Sequence, residues 1–197
     1  MTLDFYFFIG STYTYLAVQR GAELAARHGV TLAWRPFSLR TLLHEQNNVP
    51  FVGKPFKLRY MWRDLERRAA RHGIPFEGIP PYPIDPEELA NRVATLASLE
   101  GWCADFARAA YRTWFLEKRD PGHEDALRPV LVQLGRNPDD CFRRADSAEV
   151  RDAYASNTAS ARELGIFGSP TFACGTELFW GDDRLEDALG WARGAGG

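Results

Sequence analysis

The chain begins with a stretch, residues 3–17, that reads Leu-Asp-Phe-Tyr-Phe-Phe-Ile-Gly-Ser-Thr-Tyr-Thr-Tyr-Leu-Ala. Its first seven residues form a short apolar and aromatic run that ends at a glycine, which is typical of a buried central strand. After Ser11 the apolar side chains recur at helical spacing, and this pattern predicts a helix over residues 13–28. Residues 30–37 predict a second strand, which a proline closes because proline cannot donate to a ladder. Together these segments predict a βαβ unit.

The middle of the chain, residues 39–164, contains helical patterns and polar loops but no convincing strand. In Asp85-Pro86-Glu87-Glu88 a capping residue is followed by proline at the first helical position and by glutamate three residues after the cap. We therefore expect a helix to begin at Asp85. Further helices are predicted over residues 102–118, 124–134 and 146–164. These patterns predict a large all-helical insertion.

The end of the chain returns to strands. Residues 171–174 and 177–180 predict two short strands joined by a turn at Gly175-Thr176. Asp182 or Asp183 is then expected to cap a closing helix, in which apolar residues recur on one face up to Ala192. The predicted order of elements is βαβ, a helical block and ββα.

The composition is that of an ordinary soluble globular protein. The chain has 197 residues, of which 45% are hydrophobic and 25% are charged. This length suits one domain, or a domain with a large insertion, and the composition excludes disorder. The 13% of aromatic residues supports a bulky core and an apolar pocket for a flat ligand.

The charges argue against nucleic acid and membranes as partners. The 24 Lys and Arg residues nearly balance the 26 Asp and Glu residues, and the net charge is −2. The basic residues Arg63, Arg67, Arg68 and Arg71 alternate with Asp64 and Glu66, so we interpret this cluster as a solvated helix face. No apolar run approaches the roughly 20 residues of a membrane span. We therefore expect a cytoplasmic protein.

The three cysteines, Cys103, Cys141 and Cys174, are widely separated and form no ligand-spaced pair. This pattern predicts neither a disulfide framework nor a structural zinc site. No metal is expected.

Three motifs give the chain a family resemblance. They are residues 4–17, which include Asp-Phe-Tyr-Phe and Ser-Thr-Tyr-Thr-Tyr-Leu-Ala; residues 58–65, Leu-Arg-Tyr-Met-Trp-Arg-Asp-Leu; and residues 167–185, which include Phe-Gly-Ser-Pro-Thr-Phe and Phe-Trp-Gly-Asp-Asp-Arg-Leu. Together they resemble the 2-hydroxychromene-2-carboxylate isomerases, relatives of kappa-class glutathione transferases and of bacterial disulfide oxidoreductases. The resemblance implies an α/β, thioredoxin-like fold, in which residues 1–37 and 165–197 bind glutathione and residues 38–164 form the helical insertion.

The resemblance assigns the catalytic role to Ser11, which also contacts the glutathione cofactor. Thioredoxin-like oxidoreductases carry the first cysteine of Cys-x-x-Cys there, whereas this chain has Ser11-Thr12-Tyr13-Thr14 and therefore no dithiol. A hydroxyl and the free N–H groups of a helix start would stabilise a bound thiolate. The alternative is that Ser11 is only a helix cap. Family members usually have proline where this chain has Thr12.

Other positions match the glutathione contacts of the family. Ser169 and Pro170 match its proline loop, usually a cis peptide, whose backbone would pair with glutathione like an added strand. The segment Trp180-Gly181-Asp182-Asp183 matches the residues that hold the γ-glutamyl end, although the same spacing fits a simple helix cap. Asn48 matches a contacting asparagine, with Asn47 as its rival.

Two positions are candidates for substrate binding. His44 stands where family members often have lysine, although a lone histidine is more often structural or solvent-facing. Tyr82, in a proline-rich loop, matches a position that faces the substrate.

The activity that the resemblance implies is glutathione-dependent interconversion of 2-hydroxychromene-2-carboxylate and trans-o-hydroxybenzylidenepyruvate in aromatic catabolism. The partners would be glutathione, a small aromatic substrate and, as in relatives, a second copy of the chain in a homodimer. The alternatives are a kappa-like transferase that conjugates electrophiles and a non-catalytic protein that binds a small molecule.

Overall fold

A computed structural model describes residues 1–48 and 50–195 and contains one mixed sheet. Its strands are β1 (Thr2–Phe7), β2 (Thr31–Pro36), β3 (Thr171–Cys174) and β4 (Glu177–Trp180). Their order is β2-β1-β3-β4, in which β2 runs parallel to β1, while β3 is antiparallel to both β1 and β4. This arrangement confirms the predicted thioredoxin-like fold.

Helices occupy both the βαβ unit and the long segment between β2 and β3. They are α1 (Thr14–His28), α2 (Leu39–Glu45), α3 (Pro55–His72), α4 (Leu89–Leu99), α5 (Cys103–Phe115), α6 (Glu124–Gln133), α7 (Pro138–Ala145), α8 (Ala148–Glu163) and α9 (Leu185–Gly190). A short 3-10 turn, Asp182–Arg184, precedes α9, and a π turn, Trp191–Ala195, follows it. No helix in the described ranges is both long and apolar enough to cross a membrane.

The structure corrects the predicted starts of two helices, α4 and α9. The helix expected to begin at Asp85 begins at Leu89, because Asp85 and Glu88 adopt left-handed backbone angles, with φ of 51° and 57°. The Asp85 carboxylate still accepts a hydrogen bond from the backbone N–H of Ala90, at 3.3 Å. Asp85 therefore bonds to the first turn of the helix although it lies before the helix begins. The closing helix α9 has no side-chain cap from Asp182 or Asp183.

The first strand is shorter than the sequence pattern predicts. The apolar run continues to Ile9, but the ladder with β2 ends at Phe7. Beyond that point side chains take over the backbone hydrogen bonds: Ser169 Oγ accepts from Phe8 N–H, and Asn91 Oδ1 accepts from Ile9 N–H. Hydrophobic periodicity is the same for residues inside and just beyond a ladder, so it cannot mark this end.

Aromatic side chains connect the sheet to the helical block through one apolar core. The Phe5 ring lies 4.9 Å from the rings of both Trp34 and Phe172, measured between centroids. Helix α4 packs against β2, and α5 packs against α1. Fully buried residues of α5, such as Trp114, belong to the same cluster as those of β1. This packing brings α4 and α5 close to the end of β1.

Candidate active site

Ser11 lies where β1 gives way to α1, at the predicted position. Its Oγ donates a hydrogen bond to the backbone carbonyl of Ser169, with an O–O distance of 2.6 Å. The N-cap of α1 is Tyr13, and the helix has no side-chain cap. The alternative role of Ser11 as the cap of α1 is therefore wrong, because its hydroxyl bonds to the proline loop and not to an N–H group of the helix.

The peptide between Ser169 and Pro170 is cis, as in the proline loops that the motif resembles. Ser169 Oγ accepts from the N–H of Phe8 at 3.0 Å and lies 2.9 Å from Oγ1 of Thr14. On the other side, the carbonyl of Pro170 accepts from the N–H of Gly181 at 2.9 Å. The proline loop thus connects the start of α1 to the segment after β4.

A cavity of about 400 Å³ opens beside the proline loop. It is lined by residues of the loop, of the segment after β4 and of α3, and by the N-cap residue of α1: Tyr13, Asp64, Arg68, Ser169, Pro170, Trp180, Gly181, Asp182, Asp183 and Arg184. The structure therefore brings together six of the residues for which glutathione contacts were predicted.

Trp180 forms an exposed aromatic wall of this cavity. Its ring makes an edge contact with Phe167, at 4.9 Å between centroids, and 54% of the residue is exposed. The ring also lies directly against Gly168, where a Cβ atom would be 2.1 Å from Nε1. Glycine at this position allows the indole to approach the proline loop.

The two aspartates after β4 differ in environment. The side chain of Asp182 is 2% exposed, and its Oδ2 accepts from Arg68 Nη2 at 2.8 Å, with Arg20 3.9 Å away. Burial raises the pKa of Asp182 to about 6, although the Arg68 guanidinium acts in the opposite direction. Asp183 has a side chain that is 46% exposed, so it is the more accessible carboxylate.

Helix α3 supplies site residues that sequence reasoning missed. The basic cluster was interpreted as a solvated face, which holds for the exposed side chains of Arg63, Glu66 and Arg67 but is wrong for Asp64 and Arg68, which are 22% and 24% exposed. Asp64 also accepts from the hydroxyl of Tyr13 at 2.9 Å. Burial, followed by this hydrogen bond, raises the pKa of Tyr13.

A signal for these two residues was present in the sequence. Asp64 and Arg68 are four residues apart and flank the buried stripe of α3, which consists of Met61, Leu65 and Ala69. A charged pair at the edge of an apolar stripe indicates side chains that can point toward a neighbouring element.

The remaining predicted residues, Ser11 among them, do not line the cavity beside the proline loop. Ser11 is connected to the lining through its hydrogen bond to Ser169. His44 and Asn48 are exposed around the end of α2, and the N–H of Asn48 donates to the carbonyl of Leu43 at 2.8 Å. Tyr82 is half-buried and lines a second cavity of about 640 Å³ between α3 and the proline-rich loop. Its ring lies edge-on to Trp62, at 5.6 Å between centroids. This second cavity has aromatic walls.

A sheet with the thioredoxin order, a cis-proline loop and a helical block between β2 and β3 define a class of protein. Residues 2–190 match the DSBA-like thioredoxin domain, and the chain belongs to that family. Within it, the chain is 30% identical over 201 residues to a 2-hydroxychromene-2-carboxylate isomerase from Pseudomonas putida, covering 96% of this chain and 95% of the relative.

Two further comparisons agree with this placement. A solved structure of 2-hydroxychromene-2-carboxylate isomerase superimposes with a TM-score of 0.84 at 30% identity, covering 97% of this chain and 95% of that one. Glutathione S-transferase kappa 1 from Caenorhabditis elegans is 27% identical over 196 residues, covering 93% and 87% of the two chains. The resemblance drawn from the motifs to the isomerases and to kappa-class transferases is confirmed.

Proposed function

We propose that this protein is a glutathione-dependent isomerase that interconverts 2-hydroxychromene-2-carboxylate and trans-o-hydroxybenzylidenepyruvate. The observation that carries the proposal is the Ser11 hydroxyl at the opening of α1, 2.6 Å from the carbonyl of the cis-proline loop. The names of relatives at about 30% identity support the reaction. A hydroxyl in place of a redox cysteine suits an enzyme that stabilises a thiolate without oxidising it.

The cavity beside the proline loop fits the charged end of glutathione. A γ-glutamyl group carries both an ammonium and a carboxylate, so it needs both signs of charge around it. The lining offers the Asp64 and Asp183 carboxylates together with the Arg68 and Arg184 guanidinium groups. In this proposal residues 1–37 and 165–197 form the glutathione-binding domain, and the insertion, residues 38–164, adds Asp64 and Arg68.

When bound, glutathione would supply a thiolate nucleophile for reversible addition to the conjugated substrate and later elimination from it, with no net change in the thiol. In this proposal the Ser11 hydroxyl, which donates to the Ser169 carbonyl in the ligand-free protein, would turn its one proton to the sulfur and so stabilise the anionic form. The first N–H groups of α1, which is 15 residues long, favour the same negative charge. Both effects lower the pKa of the bound thiol.

The second cavity suits a flat aromatic substrate. Trp62, Phe76 and Tyr82 contribute aromatic walls to about 640 Å³ of space, which is within the usual range for small-molecule sites. His44 is the proposed further contact for the substrate, and Asn48 that for glutathione. Phe56 and Ile79 are exposed near this cavity, on a surface that a second copy would cover in a homodimer.

The first test is the isomerisation of 2-hydroxychromene-2-carboxylate, followed by ultraviolet absorbance with and without glutathione. Rapid approach to equilibrium only in the presence of glutathione is the expected result. Thioether formation with a generic aryl halide, without isomerisation, would instead favour the kappa-like transferase suggested by the nematode relative. Ligand binding with no rate enhancement in either assay would favour a non-catalytic binding protein.

Asp183→Asn is expected to raise the dissociation constant for glutathione about tenfold, because a charge-assisted hydrogen bond to the ammonium is lost. Titration calorimetry measures this change. The matched control is Asp187→Asn, which removes another exposed aspartate that also pairs with Arg184, at 2.9 Å, from the helix that follows. Equal weakening by both substitutions would show that Asp183 acts only through the overall charge.

A further inference from the structure

The turn that carries Ser11, residues 8–11, is held mainly by side chains and not by the sheet. The backbone N–H of Ser11 closes the turn on the carbonyl of Phe8 at 3.0 Å. The N–H of Phe8 donates to Ser169 Oγ, which belongs to the proline loop. Further contacts of this turn come from Asn91 and Tyr111 of the helical block, which lie outside the three family motifs.

The side-chain amide of Asn91 in α4 forms hydrogen bonds with both the N–H and the carbonyl group of Ile9. Its Oδ1 accepts from the Ile9 N–H at 2.7 Å, and its Nδ2 donates to the Ile9 carbonyl at 2.9 Å. These are the two hydrogen bonds that a neighbouring strand residue would make, so the amide replaces a strand where the ladder has ended. Nδ2 also donates to Oδ2 of Asp85 at 2.8 Å. Asn91 and Asp85 are both fully buried, and the carboxylate fixes which way the amide points.

Tyr111 of α5 spans the same turn from one end to the other. Its hydroxyl lies 2.8 Å from the carbonyl oxygen of Phe8 and 3.0 Å from that of Ser11. The residue is fully buried, and its ring packs against Tyr15 and Trp114. A single rigid side chain therefore sets the distance between the first and last carbonyls of the turn.

We propose that Asn91 and Tyr111 are positioning residues that set the place of the Ser11 hydroxyl relative to the proline loop. The role of Ser11 toward the thiol rests on the proposed function, whereas the hold on the turn rests on the geometry alone. A reacting group that is displaced by about 1 Å can lose a large factor in rate. Through these two side chains, the helical insertion contributes to catalysis without touching the sulfur.

The first test is Tyr111→Phe, with Tyr15→Phe as the matched control. Tyr15 is also a buried tyrosine of the same aromatic cluster, and its hydroxyl donates to the Pro75 carbonyl at 2.6 Å, away from the turn. We expect Tyr111→Phe to lower kcat about tenfold, with KM nearly unchanged, and to move the thiolate absorbance of bound glutathione to higher pH. Tyr15→Phe should leave all three quantities within about twofold of the parent protein.

Amide hydrogen exchange in the ligand-free protein tests the hold on the turn without glutathione. Exchange at Ile9 and Ser11 should be about tenfold faster in Tyr111→Phe than in Tyr15→Phe. Asn91→Ala should accelerate exchange at Ile9, whereas Thr95→Ala, one turn along α4 and also buried, should not. If Asn91→Ala fails to fold, the tyrosine pair still decides the question.

The two proposals fail in different ways. Equal exchange rates and equal thiol titrations in Tyr111→Phe and Tyr15→Phe would overturn the positioning role. If the parent protein bound no glutathione, the proposed function would fail, and the exchange rates alone would then decide whether these side chains hold the turn.

Discussion

Ser11→Ala is expected to lower kcat/KM for the proposed glutathione-dependent isomerisation by about 10²–10³, the usual cost of removing one preorganised donor to a developing anion. The hydroxyl now donates to the Ser169 carbonyl at 2.6 Å, so it is already held at the junction of the turn and the proline loop. Alanine keeps the helix start and removes only the donor. The loss should therefore appear in the chemistry more than in the affinity for glutathione.

The pH dependence of this variant has a definite sign. A hydrogen bond to the anionic form of a group lowers its pKa, so its removal raises the pKa of the bound thiol. At neutral pH a smaller share of glutathione is then thiolate, and this share recovers as the pH rises. The pH–rate profile of Ser11→Ala should consequently move to higher pH, and part of the activity should return in alkaline solution.

Ser98→Ala is the matched control for this substitution. The Ser98 hydroxyl of α4 also donates to a backbone carbonyl, at 2.7 Å, but that carbonyl belongs to Trp34 of β2, whereas Ser11 donates to the proline loop. Both variants lose the same kind of hydrogen bond, so they should be similarly destabilised. A rate for Ser11→Ala that matches the rate for Ser98→Ala at neutral pH would remove Ser11 from the mechanism.

The order of the strands and of most helices was predictable from the sequence because these segments carry local signals, whereas the bounds of α2, α3 and α7 were not predicted. β3 and β4 lie at the predicted residues, and the bounds of α1 and α6 differ from prediction by a single residue. Apolar spacing, a glycine after the last helical turn and a short turn between two strands are local features. The thioredoxin order of the sheet then follows from the family motifs and is confirmed.

Contacts across the chain were not predictable in the same way. The Asp85 segment has the residues of a helix start, but Arg40 holds the carbonyls of Ile84 and Asp85, and Asp120 accepts from the Asp85 N–H at 3.0 Å. These partners lie 35–45 positions away in sequence and fix a left-handed backbone at Asp85. A local capping pattern contains no information about these distant partners.

The residues of the candidate site fall into the same two groups, those that local motifs predict and those that contacts between distant elements place. The proline loop and the segment after β4 are short motifs, and the structure places them around one cavity. Arg68 belongs to that cavity because its guanidinium reaches Asp182 in the segment after β4. Its place at the edge of the apolar stripe indicates that it can point toward a neighbouring element, but not which element that is. Side chains that act between distant elements are therefore the part that required the structure.

Arg68→Met is expected to lower the free energy of unfolding by about 3 kcal/mol at pH 8, because it leaves the buried Asp182 carboxylate without its nearest cation. Methionine keeps most of the apolar stem of the side chain, so the change removes charge and not packing. Chemical denaturation measures the difference. The same variant should bind glutathione more weakly, since Arg68 lines the cavity.

The size of this destabilisation depends on pH. Burial raises the pKa of Asp182 to about 6 in the folded parent protein, above its unfolded value of about 3.9. From pH 4 to 6 the carboxyl is protonated in both folded proteins and charged in both unfolded chains, so both lose stability together as the pH rises. Above pH 6 Asp182 ionises in the folded parent protein, and the free energy of unfolding of that protein levels off. In the variant the pKa of Asp182 is higher still, so its free energy of unfolding continues to fall. The difference between the two should therefore be small at pH 5 and should grow toward pH 8.

Arg63→Met provides the control on the same helix. Its pair with Glu66, at 2.6 Å, is exposed on both sides, and such surface pairs contribute about 0–1 kcal/mol. We expect little loss of stability from this variant and no growth of that loss between pH 5 and 8. A difference for Arg68→Met that stayed constant over this range would mean that Arg68 stabilises the fold by packing, and that Asp182 does not need its charge.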